Sequence, residues 1–164
     1  MRVLVVSDSH SGLSFMRRWA KLIDPEIIIH LGDYYDDGGV LMEEFPNSRV
    51  IRVPGNCDRW RMFDLQPEIL FVTLDGAGFF LTHGHLHGVK SGTGRLLAAA
   101  RVAKADAVLY GHTHVADCRF TEEGMLVMRR KPPLPVGTTQ ARTQTQVPYL
   151  HRKPPHTRNR VLAP

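Results

Sequence analysis

Five short apolar segments, spread over the first 114 residues, each end abruptly in Asp, Asn or His side chains, most of them beside glycine. These ends read Asp8-Ser9-His10, Gly32-Asp33, Gly55-Asn56-Cys57-Asp58, His83-Gly84-His85 and Gly111-His112-Thr113-His114. Taken singly, each would suit a polar turn, but ionisable groups resist burial unless they are paired or hold a metal. Ligands of open α/β sheets gather beyond the carboxyl ends of the strands. The repetition therefore predicts five strands that deliver these side chains to one edge.

The segments between these ends predict strands that alternate with helices and are followed by hairpins. The stretch "RVLVV" is typical of a buried strand, and "LSFMRRWAKLI" has apolar residues at spacings of three, one and three, as on a helix that lies on a sheet. Two further helices are predicted in "VLMEEF", after the Gly38-Gly39 pair, and in "GRLLAAARVAKA". Turns at "DGAG" and Glu123-Gly124 predict hairpins. This order indicates an α/β protein with mixed sheets.

Composition excludes several classes of protein. Of 164 residues, 43% are apolar and 23% charged, as in ordinary globular proteins. No stretch approaches the roughly 18 apolar residues that would span a membrane, and the opening residues lack a signal pattern. With Cys57 and Cys118 as the two cysteines, a disulfide framework is not expected, which favours the cytoplasm.

Charge and proline content divide the chain near residue 128. Residues 1–128 hold 13 basic and 16 acidic side chains, a net charge of −3, whereas residues 129–164 hold eight basic side chains and no acidic one. This second segment also contains seven of the 11 prolines and no apolar periodicity. We expect one domain over 1–128 and a basic, proline-rich tail over 129–164 that lacks a packed core of its own. Nucleic-acid binding is expected, if at all, only through that tail.

The strand ends supply enough metal-ligating groups for two ions. Seven candidates mix imidazole nitrogen with carboxylate and amide oxygen, namely Asp8, His10, Asp33, Asn56, His83, His112 and His114. Such a set is too large for one tetrahedral site and suits a pair of borderline divalent ions that share a bridging carboxylate. His30, inside "IIIHLGD", is instead predicted to be a packed, hydrogen-bonded core histidine.

The blocks "DSH", "GD", "GNCD", "THGH" and "GHTH" resemble the five signature blocks of calcineurin-like metallophosphoesterases. The short length and the cysteine in "GNCD" are most similar to the small bacterial and archaeal phosphodiesterase subfamily. The resemblance covers residues 1 to about 128 and implies a four-layer α/β/β/α sandwich of two mixed sheets. It also implies a role for each candidate ligand: Asp8, His10 and His114 at one metal, Asn56, His83 and His112 at the second, and Asp33 as the bridge.

The resemblance further implies a metal-dependent phosphoesterase, with phosphodiesterase activity favoured, that acts on a small phosphate ester. A hydroxide bridging the two metals would be the nucleophile. Mn²⁺ is the expected metal, with Ni²⁺, Fe²⁺, Co²⁺ or Zn²⁺ as alternatives, because affinity order alone does not decide which is bound. The expected catalytic side chains are Asn56 and His85.

Cys57 departs from the wider superfamily, in which a histidine at this position is thought to protonate the leaving group. A thiol, with an ordinary pKa near about 8.5, is a poor substitute acid. Either His85 supplies the proton, or the enzyme favours leaving groups that need little protonation.

A rival interpretation is a non-catalytic interaction scaffold of the same fold, as in a retromer subunit that belongs to the family. That subunit has an altered ligand set, whereas all seven positions are intact here, which favours the enzyme.

The sequence departs from the family after Met128. Members usually continue with Asn-Pro-Gly-Ser and a closing strand, whereas this chain reads "LVMRRKPPLPVGTTQ". One hypothesis is a shift of the coding frame near this point; the alternative is a genuine basic extension that binds an acidic partner. Resequencing the gene tests the first, which fails if no frame encodes the missing loop and strand.

Overall fold

The structure is a computed structural model that describes residues 1–10, 12–58 and 66–129. The predicted tail, the expected loss of the closing strand and the hypothesis of a frame shift concern residues that lie outside these ranges, apart from Arg129. They remain predictions, as does the domain boundary after Met128.

The first sheet contains three parallel strands with β2 in the centre. These are β1 (Val3–Val6), β2 (Ile27–His30) and β3 (Arg49–Arg52), and they are joined by α1 (Leu13–Ile23) and α2 (Tyr35–Glu44). The bounds of α1 agree with the helical pattern of "LSFMRRWAKLI". Parallel strands need such crossover helices, which then cover the sheet.

The second sheet contains five strands in the order β4-β5-β6-β8-β7. Its elements are β4 (Ile69–Leu74), β5 (Ala77–Thr82), a 3-10 turn (His85–His87), α3 (Gly94–Val102), β6 (Ala107–Tyr110), β7 (Asp117–Phe120) and β8 (Leu126–Arg129). Strands β5, β6 and β8 run parallel, and the two predicted hairpins add β4 and β7 as antiparallel neighbours.

An apolar layer fills the space between the two sheets. The first sheet and its strand ends contribute Ile29, Leu31 and Val53, and the second contributes Leu81 and Leu109, all of them buried. Burying each such side chain contributes about 1.5–3 kcal/mol. This layer holds the two sheets face to face, so that their strand ends are fixed relative to one another.

Helices cover the outer face of each sheet. Met16 of α1 and Leu41 of α2 pack with Ile28 of β2, and Leu96 of α3 packs with Val108 of β6. The predicted four-layer α/β/β/α sandwich is confirmed; the described strands of the first sheet are all parallel, and the second sheet is mixed. None of the helices in the described ranges is long and apolar enough to cross a membrane.

Helix α2 begins earlier than the sequence pattern predicted. It starts at Tyr35 and includes both glycines, because the Asp58 carboxylate accepts the backbone N–H groups of Tyr34 and Tyr35 at 2.8 and 2.9 Å. A Cβ at Gly38 would lie 3.1 Å from Arg52 and 3.4 Å from His30. The glycine therefore lets the helix approach β2 and β3 closely, which explains its presence inside a helix.

His30 is a packed core histidine, as predicted. Its side chain is fully buried, its Nδ1 accepts the Gly32 N–H at 3.3 Å, and its Nε2 lies 3.1 Å from the Ser9 hydroxyl. Burial, opposed in part by the charge of Asp58, lowers its pKa from 6.5 to about 4. The folded protein therefore holds His30 as a neutral ring at neutral pH.

The pKa of His30 makes unfolding dependent on pH. Because the pKa is lower in the folded state, the stabilisation is complete above pH 6.5 and decreases as the pH falls towards 4, by about 3 kcal/mol in all. We expect His30→Asn, whose amide oxygen can still accept the Gly32 N–H, to lose that part of the pH dependence. Urea unfolding at pH 4.5 and 7 in the presence of chelator measures it. Equal pH dependence of the two proteins would contradict the assignment.

Candidate metal centre

The structure brings the five predicted strand ends to one edge of the sandwich. Asp8, Asp33 and Asn56 follow the carboxyl ends of β1, β2 and β3, while His83 and His112 follow β5 and β6. The two sheets face each other here; the first sheet supplies the oxygen donors together with His10, and the second supplies the other imidazoles. The prediction that these strands end at a common edge is therefore confirmed.

Six of the seven candidate ligands form two groups that share Asp33. Within each group the ligand atoms lie within 4.8 Å of one another. The first group is Asp8, His10, Asp33 and His114, and the second is Asp33, His83 and His112. Asn56 lies on the loop after β3. This division matches the one implied by the family resemblance, although the ligand roles themselves stay predictions.

The two oxygens of Asp8 have different environments. Oδ2 accepts hydrogen bonds from the Ser7 hydroxyl and from the His112 N–H, the latter at 3.1 Å. Oδ1 is buried, and among the described residues it has no hydrogen-bond partner. It lies 3.2 Å from Nε2 of His114 and 4.0 Å from Nε2 of His83. One oxygen is therefore anchored, and the other faces the imidazoles.

Asp33 shows the same division between its oxygens. Oδ1 accepts the Cys57 N–H at 2.9 Å, and Oδ2 lies 3.4 Å from Nε2 of His83. Burial would raise the pKa of this carboxyl, but the His83 ring and the Cys57 amide outweigh burial, so the pKa lies well below its usual value. Asp33 is therefore a carboxylate with one oxygen directed towards the ligand groups.

A backbone carbonyl orients His83. Nδ1 lies 2.7 Å from the Leu31 carbonyl oxygen, which leaves Nε2 directed at the carboxylates and 3.2 Å from Nδ1 of His112. When one ring nitrogen of a histidine binds a metal, the other usually donates its N–H to a carbonyl or carboxylate, which fixes the orientation of the ring. Burial lowers the pKa of His83, yet Asp33 and Asp8 outweigh that effect and raise it. The carboxylates thus favour positive charge at this point.

The pKa of His112, unlike that of His83, is lowered. Burial, followed by the positive charge that His83 can carry, lowers its pKa to about 4. A histidine that stays neutral at physiological pH has a nitrogen lone pair available for a metal.

Asn56 provides a test of whether the site suits a metal. Its Oδ1 is buried and lacks a hydrogen-bond partner within the described ranges, while its Nδ2 contacts the Cys57 thiol at 3.5 Å. A buried acceptor left without a donor costs about 1–3 kcal/mol. Oδ1 of Asp8 is a second such atom. The Asp8 oxygen lies beside imidazoles, and Asn56 adds a buried oxygen without a donor on the neighbouring loop, so the donor set fits divalent cations.

The backbone around the site adopts uncommon conformations. Five of the seven candidates have positive φ: Asp8 (54°), His10 (45°), Asp33 (56°), His112 (71°) and His114 (57°). Each such residue costs of the order of 1–3 kcal/mol. Hydrogen bonds from Asp8 N–H to Gly32 O, 2.9 Å, and from Gly111 N–H to His83 O, 3.0 Å, help to hold these turns.

Close backbone approach explains two of the glycines. A Cβ at Gly32 would lie 2.5 Å from the Gly55 nitrogen, and one at Gly55 would lie 2.2 Å from Oδ1 of Asp33. A side chain at either position would separate the loops after β2 and β3. The glycines thus allow Asp33 and Asn56 to stand side by side.

His85 lies next to the second ligand group. Its ring centroid is 5.5 Å from that of His83 and 6.1 Å from that of His112. Its side chain is only 10% exposed, and its Nε2 lies 3.5 Å from Oε1 of Glu68. It is therefore not a solvent-exposed loop histidine. Burial and the charge of Asp33 raise the pKa of the Cys57 thiol, which makes that thiol a weaker acid still.

Three residues near the site were not assigned a role from the sequence. Asp58 accepts N–H groups from Tyr34 and Tyr35, and from Gly55 at 2.7 Å, and so ties together the loops after β2 and β3. The glycine, asparagine and aspartate of Gly55-Asn56-Cys57-Asp58 are together a turn signal. Ser7 and Glu68 carry no comparable signal, because their contacts depend on tertiary structure.

One family model and several curated proteins match this chain. The model of the calcineurin-like phosphoesterase superfamily domain matches residues 1–130. A probable metallophosphoesterase of Bacillus subtilis is 34% identical over 119 residues, which are 71% of this chain and 66% of that protein. A phosphodiesterase of Methanocaldococcus jannaschii is 30% identical over 128 residues, 70% of this chain and 74% of that one. The chain thus spans slightly less than two thirds of the length of the Bacillus protein.

Solved structures share the fold. A conserved protein of Streptococcus pneumoniae, described as a predicted phosphoesterase, superposes with a TM-score of 0.64 at 24% identity and covers 79% of this chain and 71% of its own. Vacuolar protein sorting 29 of Cryptosporidium parvum superposes with a TM-score of 0.65 at 21% identity, over 79% of this chain and 73% of its own. At these identities the likeness concerns architecture alone.

Proposed function

Because the chain belongs to the calcineurin-like phosphoesterase superfamily, we propose that it is a metal-dependent phosphodiesterase that hydrolyses a P–O bond of a small phosphate ester. The observation that carries this proposal is the pair of ligand groups that share Asp33, next to which Oδ1 of Asp8 is buried without a hydrogen-bond partner among the described residues.

The proposed centre is dinuclear. Asp8, His10 and His114 would hold one ion, and His83, His112 and Asn56 would hold the second, with Asp33 between them. When bound, two divalent ions supply a nucleophile from water near neutral pH and neutralise charge on the phosphoryl oxygens, which is most of what phosphoryl transfer requires. The site contains carboxylate, amide and imidazole donors, a mixture that accepts borderline divalent metals.

Mn²⁺ is the proposed metal in the cell, and Ni²⁺, Fe²⁺, Co²⁺ and Zn²⁺ fit the same donors. We infer a cytoplasmic location, where the exposed thiols of Cys57 and Cys118 would stay reduced.

His85 is the proposed proton donor to the leaving group. It lies beside His83 and His112, so its ring can reach a phosphate ester held at the second ligand group. Its Nε2 lies 3.5 Å from Oε1 of Glu68, which can hold the ring in place. The Cys57 thiol, with its raised pKa, is a weaker candidate.

We expect chelated protein to hydrolyse an activated aryl phosphodiester only after Mn²⁺ is added back. Asp33→Asn removes charge from the group shared by both ions, and the loss should exceed the roughly 10- to 100-fold typical of residues that only support a ligand. Initial rates at saturating Mn²⁺, with melting temperatures as a check on folding, measure it.

The result also separates the enzyme from the scaffold interpretation. A folded, Mn²⁺-loaded protein without hydrolytic activity towards aryl diesters or monoesters would favour the scaffold.

His85→Ala should slow esters with poor leaving groups more than activated aryl esters. A positioned general acid typically contributes about 10²–10⁴-fold, and an aryl oxide that leaves readily needs little of it. The measurement compares kcat for an alkyl and a nitrophenyl diester in wild type and variant.

His87→Ala is the matched control, because His87 lies on the same 3-10 turn and packs edge-on against Phe80, with ring centroids 5.9 Å apart. Equal slowing of both esters by His85→Ala would remove His85 from this role.

A further inference from the structure

Ser7 is a buried polar residue at the end of β1 that the proposed reaction does not use. It is only 4% exposed, and its hydroxyl donates to Oδ2 of Asp8. The His112 N–H donates to the same oxygen at 3.1 Å. Two donors therefore hold Oδ2, whereas Oδ1 faces His114 at 3.2 Å.

The packing around this hydroxyl leaves it little freedom. A Cβ at Gly111 would lie 1.9 Å from the Ser7 Oγ and 2.9 Å from Oδ2 of Asp8. The absence of a side chain at Gly111 is therefore what makes room for the hydroxyl. The contact joins the end of β1 in one sheet to the end of β6 in the other.

The second carboxylate of the site is held in a similar way. The Cys57 N–H donates a hydrogen bond to Oδ1 of Asp33, and Oδ2 of the same carboxylate faces His83. Each carboxylate thus has one oxygen anchored by the protein and one directed into the ligand groups. An anchored oxygen cannot turn to bind the same cation as its partner without losing its hydrogen bonds.

This arrangement bears on which cations the site accepts. Ca²⁺ takes six to eight oxygen ligands and commonly uses carboxylates through both oxygens. Borderline metals such as Mn²⁺ and Co²⁺ accept imidazole together with single carboxylate oxygens. A site with four histidines and two carboxylates that each offer one oxygen therefore has a low affinity for Ca²⁺. The affinity is lower the more firmly hydrogen bonds hold the second oxygen of each carboxylate.

We propose that Ser7 is a positioning residue that fixes Asp8 as a one-oxygen ligand and thereby selects against Ca²⁺. This inference rests on the proposed metal centre. Loss of the hydroxyl removes one of the two donors described at Oδ2 and leaves the His112 N–H, so this oxygen is held less firmly. The less restrained carboxylate can rotate to present both oxygens, which weakens the geometry for Mn²⁺ and improves it for Ca²⁺.

The experiment measures the affinities of the full chain for Mn²⁺ and for Ca²⁺ in Ser7→Ala and wild type. Bound Mn²⁺ is counted from the loss of its free-ion electron paramagnetic resonance signal, and Ca²⁺ is measured by its competition. We expect the Mn²⁺ affinity to fall about 10-fold, within the range for residues that support a ligand, and the preference for Mn²⁺ over Ca²⁺ to narrow by a similar factor.

Visible absorption of the Co²⁺-loaded proteins gives a second readout, because the bands change with coordination number. We expect Ser7→Ala to show weaker bands, as coordination rises when Asp8 binds through both oxygens. Unchanged Co²⁺ spectra would argue against the proposal.

Ser48→Ala is the matched control. The Ser48 hydroxyl donates to the Pro25 carbonyl at 2.7 Å, beside the start of β3 and away from the ligand groups. It should lower stability by a similar amount while leaving the metal preference unchanged. Ser7→Thr, which keeps a hydroxyl on the same carbon, should retain the wild-type preference.

Ser7→Gly serves as a second variant if Ser7→Ala does not fold, because it also removes the hydroxyl and adds no atom beside Asp8. Equal loss of Mn²⁺ and Ca²⁺ affinity, or no change in either, would overturn the proposal. A wild-type protein that binds no Mn²⁺ would instead defeat the proposed metal centre itself.

Discussion

Two buried carboxylates at the seam between the sheets set the main physical constraint on this molecule. Asp8 is fully buried and Asp33 nearly so, and both point into the same small volume. Like charges placed together in a medium of low dielectric repel strongly unless positive charge is brought to them. The His83 imidazole and a few N–H donors provide part of the compensation. Oδ1 of Asp8 has no hydrogen-bond partner among the described residues, and a bound cation would supply the positive charge that it still lacks.

The loops accept local strain to meet this constraint. Five candidate ligands have left-handed backbone conformations, which a chain would not adopt without support from its surroundings. That support comes from rigid neighbours: the apolar layer between the sheets, the Asp58 carboxylate that holds three N–H groups, and the glycines that let the loops touch. The rigid sandwich therefore maintains at its edge an arrangement that the loops alone could not keep.

Much of the fold and of the candidate site could be predicted from the sequence, because the patterns that indicate them are local. The stripe in "LSFMRRWAKLI" gave the bounds of α1, and the repeated polar strand ends indicated the common edge. The start of α2 could not be predicted, since a carboxylate 23 residues further along the chain provides the hydrogen bonds that begin the helix. Likewise, no local pattern distinguishes Ser7 from an ordinary serine, because its role depends on Gly111 and His112 across the seam.

The hydrogen bond between Asp8 and the His112 N–H joins residues 104 positions apart in the chain. Contacts of such high separation form late, because the entropy of closing the intervening loop must be overcome first. The amino-terminal half of the chain holds every oxygen donor and the carboxy-terminal half most of the imidazoles. A nascent polypeptide thus exposes the three oxygen donors with a single candidate imidazole, His10, and the complete ligand set forms only when the second sheet docks.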